Sequence, residues 1–267
     1  MKSYKTIATP LLAFALAIGV VGCGQKDESV IKIGATVGPH AQVVEAVAKE
    51  AAKEGITIQV VEFSDYITPN AALSDGSIDL NSYQHQPFLD NFNNNHNSEL
   101  VSIGRSILMR MGIYSNQFTD LDSLPENARI AIPNDPTNGG RGLLLLESAG
   151  LISLKEDVGF SASLQDVVSN PKNIRFVEVD AAQLPRTLDD VDAAAITMNY
   201  VMSSGLDPKK QGIYLEPKDA PLAVMVVASR DEEKNKEVFK KIVSIYHSQA
   251  INEFLDTTFK GTIEAAN

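Results

Sequence analysis

Four short stretches hold the residue types that recognise small polar molecules. Phe63-Ser64-Asp65-Tyr66, with Pro69-Asn70 behind it, follows a β-branched run. Its two aromatics can wall an apolar pocket while the Tyr66 hydroxyl keeps a polar contact; otherwise Phe63 is core and Tyr66 is surface. Asn81-Ser82-Tyr83-Gln84-His85 precedes Gln86-Pro87-Phe88. In an extended segment Tyr83 and His85 point the same way, and so many hydrogen-bonding side chains exceed what a core strand tolerates. A polar loop before a helix opened by Pro87 is the alternative. Pro133–Arg141 (PNDPTNGGR) lies between an apolar run and a helical pattern. Backbone amides there suit an anion, and the Arg141 guanidinium can grip a carboxylate with two parallel hydrogen bonds. A cation in a first helical turn opposes the macrodipole, so Arg141 needs a negative partner, either a ligand or one of the chain's many acids. Thr197-Met198-Asn199-Tyr200 ends a fourth apolar run and offers an amide.

Catalytic sets are missing from the sequence. There is no Gly-x-Ser-x-Gly, His-Glu-x-x-His or Walker loop, and Gly34–Gly38 lacks the lysine of a phosphate loop. His40, His85, His96 and His247 are scattered, and no nucleophile is spaced to join His85 with Asp65 or Asp79. With one cysteine, neither a disulfide nor a cysteine-rich metal site is available. No enzyme, metal or cofactor is expected.

The elements that must position these stretches alternate between strand and helix. Ile31–Ala35 reads as a strand, Thr36–His40 as a turn, Ala41–Glu54 as an amphipathic helix ended by Gly55, and Ile56–Phe63 as a second strand. This is a βαβ unit with a parallel strand pair. Further strands are expected at Arg129–Ile132, Ile174–Val179, Ala193–Thr197 and Leu222–Ala228. Helices are expected from Arg141 to Ala149 and along Asp231–Phe259, with Asn91–Asn97 as a solvated helix end or loop. Two α/β domains joined by ordered crossings near Met109–Ser115 and Gly212–Leu222 fit this order. The division is residues 31–111 plus 223–267 for the first domain and 112–222 for the second.

The chain of 267 residues is acidic, with 23 Lys+Arg against 34 Asp+Glu, and Lys209-Lys210 is its densest basic patch, so nucleic acid is excluded as a partner. Residues 1–22 carry Lys2, Lys5 and the apolar run Leu11–Gly22, too short to span a bilayer. They read as a secretory signal. Val20-Val21-Gly22-Cys23 resembles the bacterial lipobox, which makes Cys23 the lipidated N-terminus, anchored by several acyl chains, and residues 23–30 a polar tether.

Taken with that lipobox, Phe63–Leu73, Asn81–Leu89, Pro133–Arg141, Asp166–Asn173 (DVVSNPKN) and Gln183–Asp190 (QLPRTLDD) resemble the methionine-binding lipoproteins of the NlpA/MetQ family. The resemblance implies a two-domain, periplasmic-binding-protein-like α/β fold with a ligand cleft between the domains. It implies a substrate-binding subunit of an ABC importer, lipid-anchored outside the cytoplasm in a bacterial envelope. Its partners would be methionine (L or D) or a related apolar amino acid, a membrane permease and that permease's ATPase subunit. Phe63, Tyr66, Tyr83, His85 and Phe88 would enclose the side chain, Arg141 would hold the carboxylate, and Asn199 would bond the polar end. Two alternatives are the same fold with a short peptide or modified amino acid as ligand, and a surface lipoprotein outside transport. The family pattern is broken at Ala220–Val224, where Leu222 replaces an aromatic and Val224 a ligand-contacting Asn, and at Phe88, where Tyr is usual.

Overall fold

The computed structural model describes Val30–Ala266; the signal, Cys23 and most of the tether lie outside the described residues. Strand β1 (Ile31–Thr36) leads through Gly38 into helix α1 (Pro39–Ala52) and returns as β2 (Ile58–Phe63), parallel to β1. Gly38 is at φ +89°, and a Cβ there would lie 3.0 Å from Ser203 Cβ, so glycine suits both the turn and the close approach. Next come α2 (Thr68–Ser74), β3 (Leu80–His85), α3 (Gln86–His96) and β4 (Leu100–Met109).

After Arg110 the chain enters a second sheet at β5 (Met111–Tyr114), followed by β6 (Arg129–Pro133) and α4 (Pro136–Ser148). The short β7 (Ser153–Leu154) and β8 (Val167–Ser169) pair with each other. Then follow β9 (Arg175–Val179), α5 (Leu184–Thr187), β10 (Ala193–Thr197), α6 (Met198–Ser203), α7 (Pro208–Gln211) and β11 (Gly212–Leu215). The chain crosses back over residues 216–223 and completes the first sheet with β12 (Val224–Arg230), α8 (Glu237–Tyr246), α9 (Gln249–Phe259) and β13 (Ile263–Ala265).

The first sheet has the order β13-β4-β12-β3-β1-β2 and the second β11-β5-β10-β6-β9. The parallel strands β1, β2 and β3 of the first sheet, and β6, β9 and β10 of the second, aim their carboxyl ends at the junction between the sheets. Ligands bind in crevices at such ends. One apolar cluster packs α1, α8 and α9 on the first sheet and continues to α5 and α6; another fills the second sheet's far face around Ile130, Leu143 and Leu146. The fold is the two-domain α/β architecture expected from the sequence.

Local differences have physical causes. The polar run at 80–85 is a wholly buried strand at the centre of the sheet, not a loop. Its amides are satisfied internally: Asn70 and Gln84 exchange two hydrogen bonds of 2.7 Å, and Asn81 donates to Asn70 at 2.9 Å. Helix α4 starts at Pro136 with Asp135 as its cap, the Asp135 carboxylate accepting from Asn138 N–H at 2.9 Å. Arg141 is therefore in the second turn, and the first-turn dipole argument does not apply to it. Residues 231–259 are not one helix, because Ser248 caps α9 and separates it from α8. Pro221–Ala223 is a short 3-10 turn, and the expected strand begins at Val224. Met111 pairs within the second sheet, with Thr197 of β10.

Candidate functional site

The carboxyl ends of β1, β2, β3 and β10 and the first turns of α1, α3 and α4 surround a narrow cavity. Tyr66, Tyr83, His85, Phe88 and Arg141 line it together with His40, Gln84, Met109, Asn138, Thr197 and Met225. The rings form a mutually tilted box: Tyr66 lies 6.0 Å from Tyr83 and 6.2 Å from Phe88 between centroids, and Phe88 stands edge-on to His85 at 6.2 Å. Tilted and edge-on rings present both faces and edges to an apolar guest.

The sequence brought five of its seven cleft candidates to this lining. Phe63 is not among them; its ring packs near Gly34 in a cluster with Leu73, Ile78 and Leu89 beneath α2 and α3. Strand alternation explains this, because Tyr66 has already left β2 and is free to turn inward. Asn199 is fully buried at the start of α6, its amide near enough to the Tyr66 hydroxyl to favour the ionised form but with neither amide atom in a well-formed hydrogen bond. Val224 sits at the edge of β12 outside the lining, and its neighbour Met225 contributes instead. Leu222 faces a separate groove with Leu144, Leu145 and Pro217.

Hydrogen bonds tie the two domains together across the cavity. The hydroxyls of Tyr66 and Thr197 share a bond of 2.9 Å, and Tyr200 Oη donates to Ser64 O at 3.4 Å. His85 Nδ1 accepts from Phe88 N–H, which leaves Nε2–H to donate to Asn138 Oδ1 at 3.2 Å. Asn138 Nδ2 in turn donates to Asp135, standing 3.1 Å from each carboxylate oxygen. Burial, helped by the Arg141 charge, pulls the His85 pKa down to about 3, and burial alone does the same to His40. Both are neutral across the physiological range. Burial raises the Asp135 carboxyl and the Tyr66 hydroxyl, the latter also feeling Asp135 and Arg141.

Sequence reading required a negative partner for Arg141 and left its identity open. The structure supplies Glu216, 75 positions away on the returning crossing. Arg141 Nε donates to Glu216 Oε1 at 3.0 Å and Nη2 to Oε2 at 2.5 Å, a two-pronged pair; Nη2 also donates to Met109 O at 3.0 Å. Glu216 Oε2 further accepts Met111 N–H at 2.9 Å, so the pair fastens both interdomain crossings. Nη1 takes part in none of these bonds. Glu216, Asn138, Thr197 and His40 were missed as site residues. Only the Asp135-Pro136 cap signature gave a local hint of where α4, and therefore Asn138, begins.

The low histidine values set an acid response. Each histidine binds no proton in the folded state until about pH 3, but does so near 6.5 when unfolded. The unfolded state binds more protons between those values, so stability is full above about pH 6.5 and falls on acidification. Lowering pH from 6.5 to 5 should remove about 2 kcal/mol per histidine. Urea unfolding at pH 7 and pH 5 checks this, and equal midpoints would contradict the buried neutral assignment.

A cleft between two α/β domains, walled by aromatics and furnished with a buried guanidinium and a buried amide, is the architecture of a substrate-binding protein. The chain belongs to the NlpA lipoprotein family, whose model matches residues 31–266. It is 42% identical to the probable D-methionine-binding lipoprotein MetQ of Vibrio cholerae over 98% of this chain and 96% of that one. Outer membrane lipoprotein 3 of Mannheimia haemolytica is 39% identical, with 98% of each chain covered. Among solved structures, a nutrient-binding protein from Burkholderia cenocepacia bound to methionine is 42% identical with a TM-score of 0.86, covering 89% of this chain and all of that one. The family places the protein at the cell envelope as a lipoprotein, and among the described residues no helix is long and apolar enough to cross a membrane.

Proposed function

We propose that this chain is the substrate-binding subunit of an ABC importer, which takes methionine or a related apolar amino acid into its interdomain cavity and delivers it to a membrane permease coupled to an ATPase. The observation that carries the reading is the cavity itself. Its aromatic box suits a thioether, whose sulfur makes favourable contacts at ring edges. Tyr66, Tyr83, His85 and Phe88 take the side chain. Arg141, through Nη1, and Asn199 take the charged end. The relatives named for methionine and the methionine-bound neighbour support the same ligand class. The first domain comprises residues 31–110 and 223–266, the second 111–222, and the crossings locked by Arg141 and Glu216 are the joint between them.

Cys23 carries the lipid anchor in this reading. The Cys23→Ser variant should move from the membrane fraction to the soluble envelope fraction; continued membrane partitioning would remove the lipobox assignment. The ligand is tested by thermal unfolding of protein stripped by unfolding and refolding, screened against L- and D-methionine, the other amino acids and short peptides. At one hundred times the dissociation constant, a ligand adds about 2.7 kcal/mol, a rise of about 5–10 °C for a chain of this size. A rise with methionine is expected, and none with any amino acid would overturn the reading.

A further inference from the structure

The cavity holds one polar side chain that no role above uses. His40, second residue of α1, lines the cavity and is 2% exposed, and its Nδ1 makes no hydrogen bond. An unpaired buried nitrogen costs stability unless something outside the chain uses it.

Most of the surrounding polar side chains already have a hydrogen-bond partner. Gln84 Oε1 accepts from Asn70, Asn138 Oδ1 from His85, and His85 Nδ1 from Phe88 N–H. The Tyr66 and Thr197 hydroxyls bond each other, and Tyr83 Oη donates to Tyr66 O at 3.0 Å. Arg141 offers donors only, and its charge is met by Glu216. A zwitterion brings a carboxylate, for which Arg141 Nη1 is available, and an ammonium, which needs acceptors. Two buried acceptors here have no partner at all: His40 Nδ1, on a residue that lines the cavity, and Asn199 Oδ1 beside Tyr66. Asn199 Oδ1 is also close to the turn that carries His40, 3.9 Å from the Cβ position of Gly38.

We infer that His40 is a specificity-determining residue whose Nδ1 accepts a hydrogen bond from the ligand's α-ammonium, with Asn199 Oδ1 as its companion. This rests on the amino-acid-binding reading above. Burial keeps the imidazole neutral, so one ring nitrogen carries a lone pair, which this assignment places on Nδ1. The first turn of α1 disfavours a cation, and the Asp135 carboxylate, within electrostatic reach of Tyr66, opposes that effect. The consequence is selection for free amino acids over acids of the same shape that lack the amine.

The test titrates full-length protein in detergent, stripped by unfolding and refolding, with L-methionine and with 4-(methylsulfanyl)butanoate, which keeps the thioether and carboxylate but lacks the ammonium. The wild type should prefer methionine. His40→Leu should lower methionine affinity about tenfold or more and leave the analogue's affinity unchanged. His40→Asn, which returns an oxygen near the Nδ1 position, should restore much of the preference. Nitrogen NMR of the histidine rings gives a second readout without any variant: the His40 Nδ1 resonance should move with methionine and stay with the analogue. An equal loss for both ligands, or an unmoved resonance, overturns the inference while the binding reading stands. Binding of neither ligand by the wild type overturns both.

Discussion

Arg141→Ala is expected to lower folding stability by about 3–5 kcal/mol, because it leaves the Glu216 carboxylate buried without its countercharge. Glu216 loses two guanidinium contacts and keeps only Met111 N–H, so the damage falls on the joint where both crossings meet. A drop in ligand affinity in that variant would therefore say little about the ligand. The informative variant is Arg141→Met with Glu216→Gln. Removing both charges together is often close to neutral, and glutamine keeps an acceptor for Met111. The double variant should unfold within about 1–2 kcal/mol of the wild type and yet bind methionine at least tenfold more weakly. Denaturant unfolding and calorimetry on the same samples separate the two effects. Wild-type affinity in the stable double variant would show that the guanidinium serves the fold alone.

Asn199→Leu should do the opposite to stability. Its amide is fully buried with no well-formed hydrogen bond from either atom, a cost of about 1–3 kcal/mol that an apolar side chain of similar size avoids. The variant should be more stable than the wild type without ligand and should lose most of the stabilisation that methionine confers. A gain in stability bought with lost binding marks a residue kept for the ligand. If the variant is instead less stable, the amide has a structural duty and its ligand role is wrong.

The sequence revealed most where local pattern and tertiary context agree. β1, α1 and β2 were legible because β-branched runs, a Pro-opened turn and an apolar helical stripe all point the same way, and β10 appeared with its bounds intact. The run 80–85 misled because its polar groups are satisfied by one another and by Asn70 on α2, a network that spacing cannot display. The start of α4 was masked by Gly139-Gly140, which look like a loop. In the fold, Gly140 permits helix contact with the 159–161 turn, since a Cβ there would lie 2.2 Å from Phe160 O. The aromatic wall was readable because Tyr66, Tyr83, His85 and Phe88 cluster in two short stretches after strands. Glu216 was not, because a partner 75 residues distant leaves no local mark among 34 acids.

Everything proposed for this cleft requires that an apolar amino acid sit between the domains. A crystal structure grown with saturating L-methionine should show the thioether among Tyr66, Tyr83, His85 and Phe88, the carboxylate on Arg141, and the ammonium between His40 and Asn199. Methionine bound outside this cavity, or bound within it with its charged end away from Arg141 and Asn199, would overturn the proposed function.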